Sequence, residues 1–101
     1  MQRGDLVRPK KISGTVFGHD GHTLVFTDAQ LDRLETLIQA ENYTLGSKNR
    51  LYLGFKEVAI VLQVRTLLKR GETWRVFVKI VASNGLVGWV SKDQLVLVVN
   101  P

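Results

Sequence analysis

Two short polar loops that each end in glycine constrain this chain more than any other sequence feature. They lie at 69–71 and 83–85, and they separate three apolar, β-branched runs at 58–67, 74–82 and 86–90. Short polar loops between such runs are typical of β-hairpins. We therefore predict three consecutive antiparallel strands. The loop lengths then decide which side chains share a face, because a shift of one residue exchanges the two faces.

The first loop fits a three-residue hairpin connection with glycine in the left-handed third position. This length places Leu68 opposite Glu72, and Arg65 then lies opposite Arg75. Like charges directly across a strand pair are destabilising. The predicted register therefore leaves an unfavourable pair of arginines that needs a ligand or a neutralising group.

The second loop fits the same three-residue geometry and places Lys79 opposite Trp89. A two-residue Asn84–Gly85 turn is the alternative, and it would pair Lys79 with Val90 instead. The three-residue loop makes one face almost purely aliphatic, which predicts a core. The residues of that predicted core are Val58, Ile60, Leu62, Val64, Trp74, Val76, Val78, Ile80 and Val90.

The opposite face of these strands is basic and aromatic. It carries Arg65, Arg75, Phe77, Lys79 and Trp89, with Lys69 and Arg70 at the rim. One interpretation is a surface for a ligand or partner, with arginines for an anion and aromatic rings for stacking. The other interpretation is that a helix docks there and neutralises an arginine.

The apolar spacing of the sequence predicts one convincing helix, over residues 28–41. Thr27 can be the N-cap and Gln30 completes a capping box, while Phe26 and Leu31 have hydrophobic-staple spacing. The apolar stripe of this helix consists of Leu31, Leu34, Leu37 and Ile38. An amphipathic helix must bury its stripe, which favours docking over the basic and aromatic face.

The remaining elements are short. We predict a short strand at residues 5–8 that ends at Pro9. The Asp20–Gly21 dipeptide indicates a hairpin turn between strands at 15–17 and 23–26. Another strand is predicted at 51–53, after a loop at 45–50. His19 and His22 flank that hairpin turn. Two histidines fall short of the three or four ligands of a metal site, so an ordinary turn is favoured and no metal is expected.

Composition narrows the class of protein. The 101 residues are 45% hydrophobic and 23% charged, with no cysteine, which is typical of a globular domain without disulfides. The net charge is +5, although residues 15–41 hold five of the nine acidic residues. One interpretation is that the basic remainder of the chain faces an anion such as nucleic acid. The other is that the acidic segment folds back on the basic remainder, and this one is favoured because no long basic run occurs.

The segment Gly88-Trp89-Val90-Ser91-Lys92-Asp93-Gln94-Leu95 resembles the closing part of SH3-like barrels, particularly bacterial SH3 domains. Those have a Gly-aromatic-aliphatic strand, one short 3₁₀ turn and a last aliphatic strand. Residues 74–76 are similar to the start of the family's middle strand, 84–85 to its distal hairpin, and 4–8 to the first strand of many small bacterial and phage barrels.

The resemblance implies a mainly β fold, a five-stranded SH3-like barrel in one domain. Residues 1–11 and 57–101 would form the barrel, and 12–56 would insert a β-hairpin and one α-helix between its first and second strands. Trp74 and Trp89 match positions near the ligand side of the family. Ser91 and Gln94 replace the proline and tyrosine of peptide-binding SH3 domains, so proline-rich ligands are not expected.

These features predict a non-catalytic, cytoplasmic binding or assembly module of a bacterium or phage. We expect a protein partner or self-association, with nucleic acid as the alternative, and no cofactor, small-molecule substrate or membrane. The apolar strand at 96–99 either closes the barrel or, at an open edge, pairs with another chain. Barrel closure is the favoured alternative.

Overall fold

The computed structural model describes residues 1–10, 18–19, 22–39, 51–54 and 56–98. The elements are β1 (Leu6–Pro9), β2 (Gly18–His19), β3 (His22–Val25), α1 (Asp28–Gln39), β4 (Leu51–Gly54), β5 (Ala59–Lys69), β6 (Glu72–Ala82), β7 (Val87–Ser91), a 3₁₀ turn (Lys92–Gln94) and β8 (Leu95–Leu97). The mainly β fold with a hairpin and helix between the first strand and the meander is therefore confirmed. The predicted segments at 15–17 and 45–50 and the predicted strand end at Val99 lie outside the described residues.

Two antiparallel sheets make up the fold. The larger has the strand order β7-β6-β5-β1-β8, and the smaller has the order β2-β3-β4. Barrel closure by the last strand is not seen in the described part of the chain, where β8 pairs with β1 and forms an edge of the larger sheet. The β7 edge meets the insertion, since the backbone N–H groups of Phe26 and Trp89 each donate to the other's carbonyl at 2.8 and 2.7 Å.

The predicted register of the first bend is wrong. Lys69 pairs with Glu72, so the turn has two residues, Arg70 and Gly71, with φ of 53° and 79°. Positive φ at both central residues defines a type I′ turn, whose twist matches that of the flanking strands. The sequence indicated a left-handed backbone only at Gly71, because arginine rarely adopts that conformation and Arg70 therefore gave no sign of it.

Two register shifts along β5 and β6 change the faces further. They lie between Val61 and Gln63 and between Leu67 and Leu68. Each shift behaves as a β-bulge, which adds one unpaired residue and reverses the alternation beyond it. As a result Arg65 lies opposite Phe77, and the predicted pair of arginines does not form.

The core under the larger sheet differs accordingly from the prediction. Ile60, Leu62 and Val64 are 46%, 37% and 40% exposed, so their assignment to the core is wrong. The first buried cluster consists of Val7, Val25, Leu53, Ala59, Val61, Val78, Ile80, Ala82, Val90 and Leu95. Trp74 and Val76, also assigned to the core, are only partly buried.

The second bend follows the prediction. Lys79 pairs with Trp89 and Val78 with Val90, the Ala82 N–H donates to the Leu86 carbonyl, and Gly85 has φ of 88°. The three-residue loop is confirmed.

Helix α1 starts as its sequence predicts. The Thr27 N–H donates to Gln30 Oε1 at 2.9 Å, and the Gln30 N–H donates to Thr27 Oγ1 at 3.1 Å, which completes the capping box. The buried face of α1 packs on β5, β6 and β7 and forms the second cluster. That cluster consists of Leu24, Phe26, Leu31, Leu34, Ile38, Leu67, Phe77 and Trp89. Helix docking over the basic and aromatic face is therefore what the structure shows.

Candidate partner-binding groove

Arg65, the first of the predicted contact residues, binds two carboxylates of α1. Its Nη1 lies 2.7 Å from Asp32 Oδ1 and its Nη2 lies 3.0 Å from Glu35 Oε2. The hydrogen bond that Arg65 donates to Asp32, together with the one that it donates to Glu35, raises the pKa of the Arg65 guanidinium. The positive charge of Arg65, which one interpretation of the sequence assigned to the binding of an external anion, is thus neutralised within the fold.

Lys79 and Trp89 are engaged by the same helix. Asp28, at its first position, accepts hydrogen bonds from Trp89 Nε1 at 2.5 Å and from Lys79 Nζ at 3.3 Å. The hydrogen bond from Trp89 has the largest effect and the one from Lys79 adds to it, and together they lower the pKa of the Asp28 carboxyl. The Lys79 ammonium also lies 5.8 Å from the centre of the Trp89 ring, within cation–π range.

The other predicted residues lie in different surroundings. Phe77 has no exposed surface, and its ring packs edge-to-face with that of Phe26 at 5.6 Å between the ring centres, so a partner cannot reach it in this conformation. Lys69 and Arg70 lie at the far end of the β5–β6 hairpin, where Lys69 is half-buried and Arg70 exposed. Arg75 lines an open groove.

This groove, which we call the Trp74 groove, lies beside the 3₁₀ turn and has a volume of about 470 Å³. It is lined by Met1, Lys10, Thr73, Trp74, Arg75, Val76, Ser91, Lys92, Asp93 and Leu95. Volumes of a few hundred cubic ångströms are typical of ligand sites. The end of β1, the start of β6 and the turn before β8 supply the lining.

Arg75 is held in place within the Trp74 groove. Its Nη1 forms an ion pair with Asp93 Oδ2, and its guanidinium carbon lies 5.3 Å from the centre of the Trp74 ring. The Ser91 hydroxyl, which is buried, donates to the other oxygen of the Asp93 carboxylate. The arrangement therefore presents a planar cation stacked on an indole, with a carboxylate positioned beside it.

The electrostatic balance of the Trp74 groove is positive. Lys10, Arg75 and Lys92 stand against the single carboxylate of Asp93 among the lining side chains. Trp74 is half-buried and packs against the cluster beneath α1. The groove thus combines a fixed aromatic surface with excess positive charge, which suits the binding of an acidic group.

Sequence reasoning missed most of this groove. The predicted register turned Trp74 toward the core, whereas the residue lies at the shift where Leu67 pairs with Arg75 and Leu68 with Thr73. The resemblance to SH3-like barrels did place Trp74 near a ligand side. No sequence pattern indicated that Lys10, Lys92 and Asp93 would line the groove, because their proximity depends on how β1 and the 3₁₀ turn meet β6.

The predicted histidine pair can be placed only in part. His19 and His22 are opposite each other in the β2–β3 pairing, as the predicted turn requires. Within the described ranges, no group of three or more acidic or histidine side chains is arranged to hold a metal ion. The helix of the described part is too short and too polar to span a membrane.

Comparison of the chain with protein-family models, with curated proteins and with solved structures finds no match.

Proposed function

We propose that this protein is a non-catalytic SH3-like binding module that contacts a protein partner through the Trp74 groove. The order of elements supports the SH3-like assignment. A three-strand meander ends in the Gly88-Trp89-Val90 strand, and a 3₁₀ turn and a short last strand follow. The helix and small sheet form an insertion that covers one face of the meander.

The observation that carries the proposal is the half-buried Trp74 beside Arg75 in an open groove. Tryptophan and arginine are enriched where protein partners gain most of their binding energy, because each buries a large, rigid surface. The contact with the cluster beneath α1 holds Trp74 in place before a partner arrives, which lowers the entropic cost of binding.

Nucleic acid is the weaker alternative. A polyanion needs an extended basic track, yet Arg65 and Lys79 are bound by carboxylates of α1. A strand of phosphates that followed β6 beyond the groove would meet Asp28, Asp32 and Glu35, which repel it.

A randomised peptide library displayed on phage tests the proposal. Peptides selected on the parent protein should lose about tenfold or more in affinity for the Trp74→Ala variant, because a central aromatic contact is worth about 2 kcal/mol. Tyr52→Ala is the matched control, since Tyr52 is an exposed aromatic residue on β4 outside the groove lining. Calorimetric titration measures the affinities.

Two results would overturn this function. Failure to select any peptide is one, and equal affinity of the selected peptides for the parent and Trp74→Ala is the other. Binding of a single-stranded oligonucleotide that weakens steeply with salt and survives Trp74→Ala would support the nucleic-acid alternative instead.

A further inference from the structure

We propose that the Trp74 groove recognises an acidic protein segment, and that Asp93 occupies the place of the segment's carboxylate when the groove is empty. This inference rests on the proposed function, and it adds the chemistry of the ligand and an internal competitor. The segment would place an aspartate or glutamate on Arg75 and an apolar or aromatic side chain against Trp74.

The ion pair between Arg75 and Asp93 is of the kind that exchanges. The two side chains are 31% and 53% exposed, so water and salt screen their attraction. Ion pairs with this degree of exposure contribute little net stability, so an incoming carboxylate displaces Asp93 at low cost. Arg75 keeps its orientation during this exchange because the Trp74 ring supports its planar face.

Asp93 is positioned for this role by the 3₁₀ turn. The Ser91 hydroxyl is buried and donates to one carboxylate oxygen, which leaves the other directed at Arg75. The carboxylate of Asp93 therefore marks where an acidic group fits beside the guanidinium. Its negative charge also repels any second carboxylate, so Asp93 lowers the affinity for the ligand that it imitates.

The surrounding charges select an acidic ligand over a neutral one. Once the carboxylate of a ligand pairs with Arg75, Lys10 and Lys92 remain at the same opening to attract a second acidic group. The groove is too small for a long polyanion, and α1 presents Asp28, Asp32 and Glu35 beyond it. A short acidic stretch of a protein meets these limits.

The peptides selected in the library experiment test the ligand chemistry. They should be enriched in aspartate or glutamate next to an apolar or aromatic residue. The tightest peptide should bind about tenfold more weakly after each of its acidic residues is replaced by the corresponding amide, since charge-assisted hydrogen bonds to arginine are lost. Selected peptides with no acidic enrichment, still dependent on Trp74, would overturn this inference while the proposed function stands.

The Asp93→Asn variant tests the competitor. The asparagine keeps an oxygen that accepts from Ser91 but removes the charge, so the same peptide should bind about three- to fivefold more tightly. Arg75→Gln should weaken it about tenfold, and Arg33→Gln, which removes the same charge from the exposed side of α1, should leave it unchanged. Weaker or unchanged binding to Asp93→Asn, with an unchanged melting temperature, would overturn the role of Asp93.

Discussion

Replacement of Gly88 by alanine should destabilise the protein, although alanine is normally the better strand residue. A Cβ at this position would lie 2.5 Å from Val25 Cγ1 and 2.8 Å from the Phe26 carbonyl oxygen. Real Cβ atoms essentially never approach other atoms closer than 3.0 Å. Gly88 is not one of the glycines with positive φ, so the close approach of β3 to β7 is the reason for glycine here.

The magnitude follows from two contributions. Insertion of a methyl group into a packed region costs about 1–3 kcal/mol. If β3 moves away to relieve the clash, the two hydrogen bonds between Phe26 and Trp89 are lost at about 0.5–1.5 kcal/mol each. The usual gain from glycine to alanine in a strand offsets about 0.5–1 kcal/mol. We expect a net loss of about 2–4 kcal/mol in the free energy of unfolding.

Urea denaturation followed by far-UV circular dichroism measures this loss. With a slope of about 1–2 kcal/mol per M for a chain of this size, the midpoint should fall by about 1–4 M. Val87→Ala is the control, because Val87 is exposed and adjacent on β7, and its midpoint should change little. A Gly88→Ala midpoint equal to or above the parent's would refute the close packing of β3 on β7.

Three further predictions concern the helix and the first turn. Leu34→Ala should cost about 2–4 kcal/mol in urea denaturation, because it opens a cavity between α1 and the meander; a loss below about 1 kcal/mol would contradict the docking of α1. Because the folded pKa of Asp28 lies below its ordinary value of 3.8, its stabilising contribution is present above that pH and is lost as the pH falls below it. Asp28→Asn should therefore lose less stability than the parent between pH 5 and pH 3, and identical losses would count against the bonds to Trp89 and Lys79. Arg70→Asn should raise the free energy of unfolding by about 0.5–1 kcal/mol, because asparagine tolerates the left-handed backbone at φ 53° better than arginine does; a decrease would argue against the type I′ turn.

Local signals in the sequence were sufficient for α1 and the second hairpin. The capping residues Thr27 and Gln30 and the apolar stripe act within one helix, and the loop that ends at Gly85 acts within one hairpin. Each of these patterns fixes geometry over a few residues, so no knowledge of the rest of the fold is needed. The prediction that acidic residues of α1 neutralise an arginine also succeeded, although this contact joins distant parts of the chain, because the sheet presents its basic face to the docked helix.

The first hairpin could not be predicted in this way. Its bend combines an arginine in a left-handed conformation with two register shifts, and none of these has a local sequence signature. The first shift, which leaves Leu62 unpaired, allows Val61 and Leu67 to be buried in different clusters on opposite faces of β5, an outcome that depends on α1 and β1 rather than on β5 itself. The Trp74 groove was missed as a consequence, because its lining follows from the second shift.

The position of α1 is also the reason why we propose the Trp74 groove, rather than the whole basic face, as the binding site. Opening the whole of this face to a ligand, including the fully buried ring of Phe77, would require α1 to leave the sheet, which would return Leu31, Leu34 and Ile38 to water. At about 1.5–3 kcal/mol for each buried aliphatic side chain, that step costs more than a few salt-screened contacts to arginine or lysine can return. The exchange proposed at Arg75 carries no such cost, because its carboxylate partner Asp93 is exposed and can move away without uncovering the apolar surface beneath α1. Binding at the groove therefore needs no rearrangement of the helix, and a partner that did displace α1 would have to supply an apolar surface equal to the one it replaced.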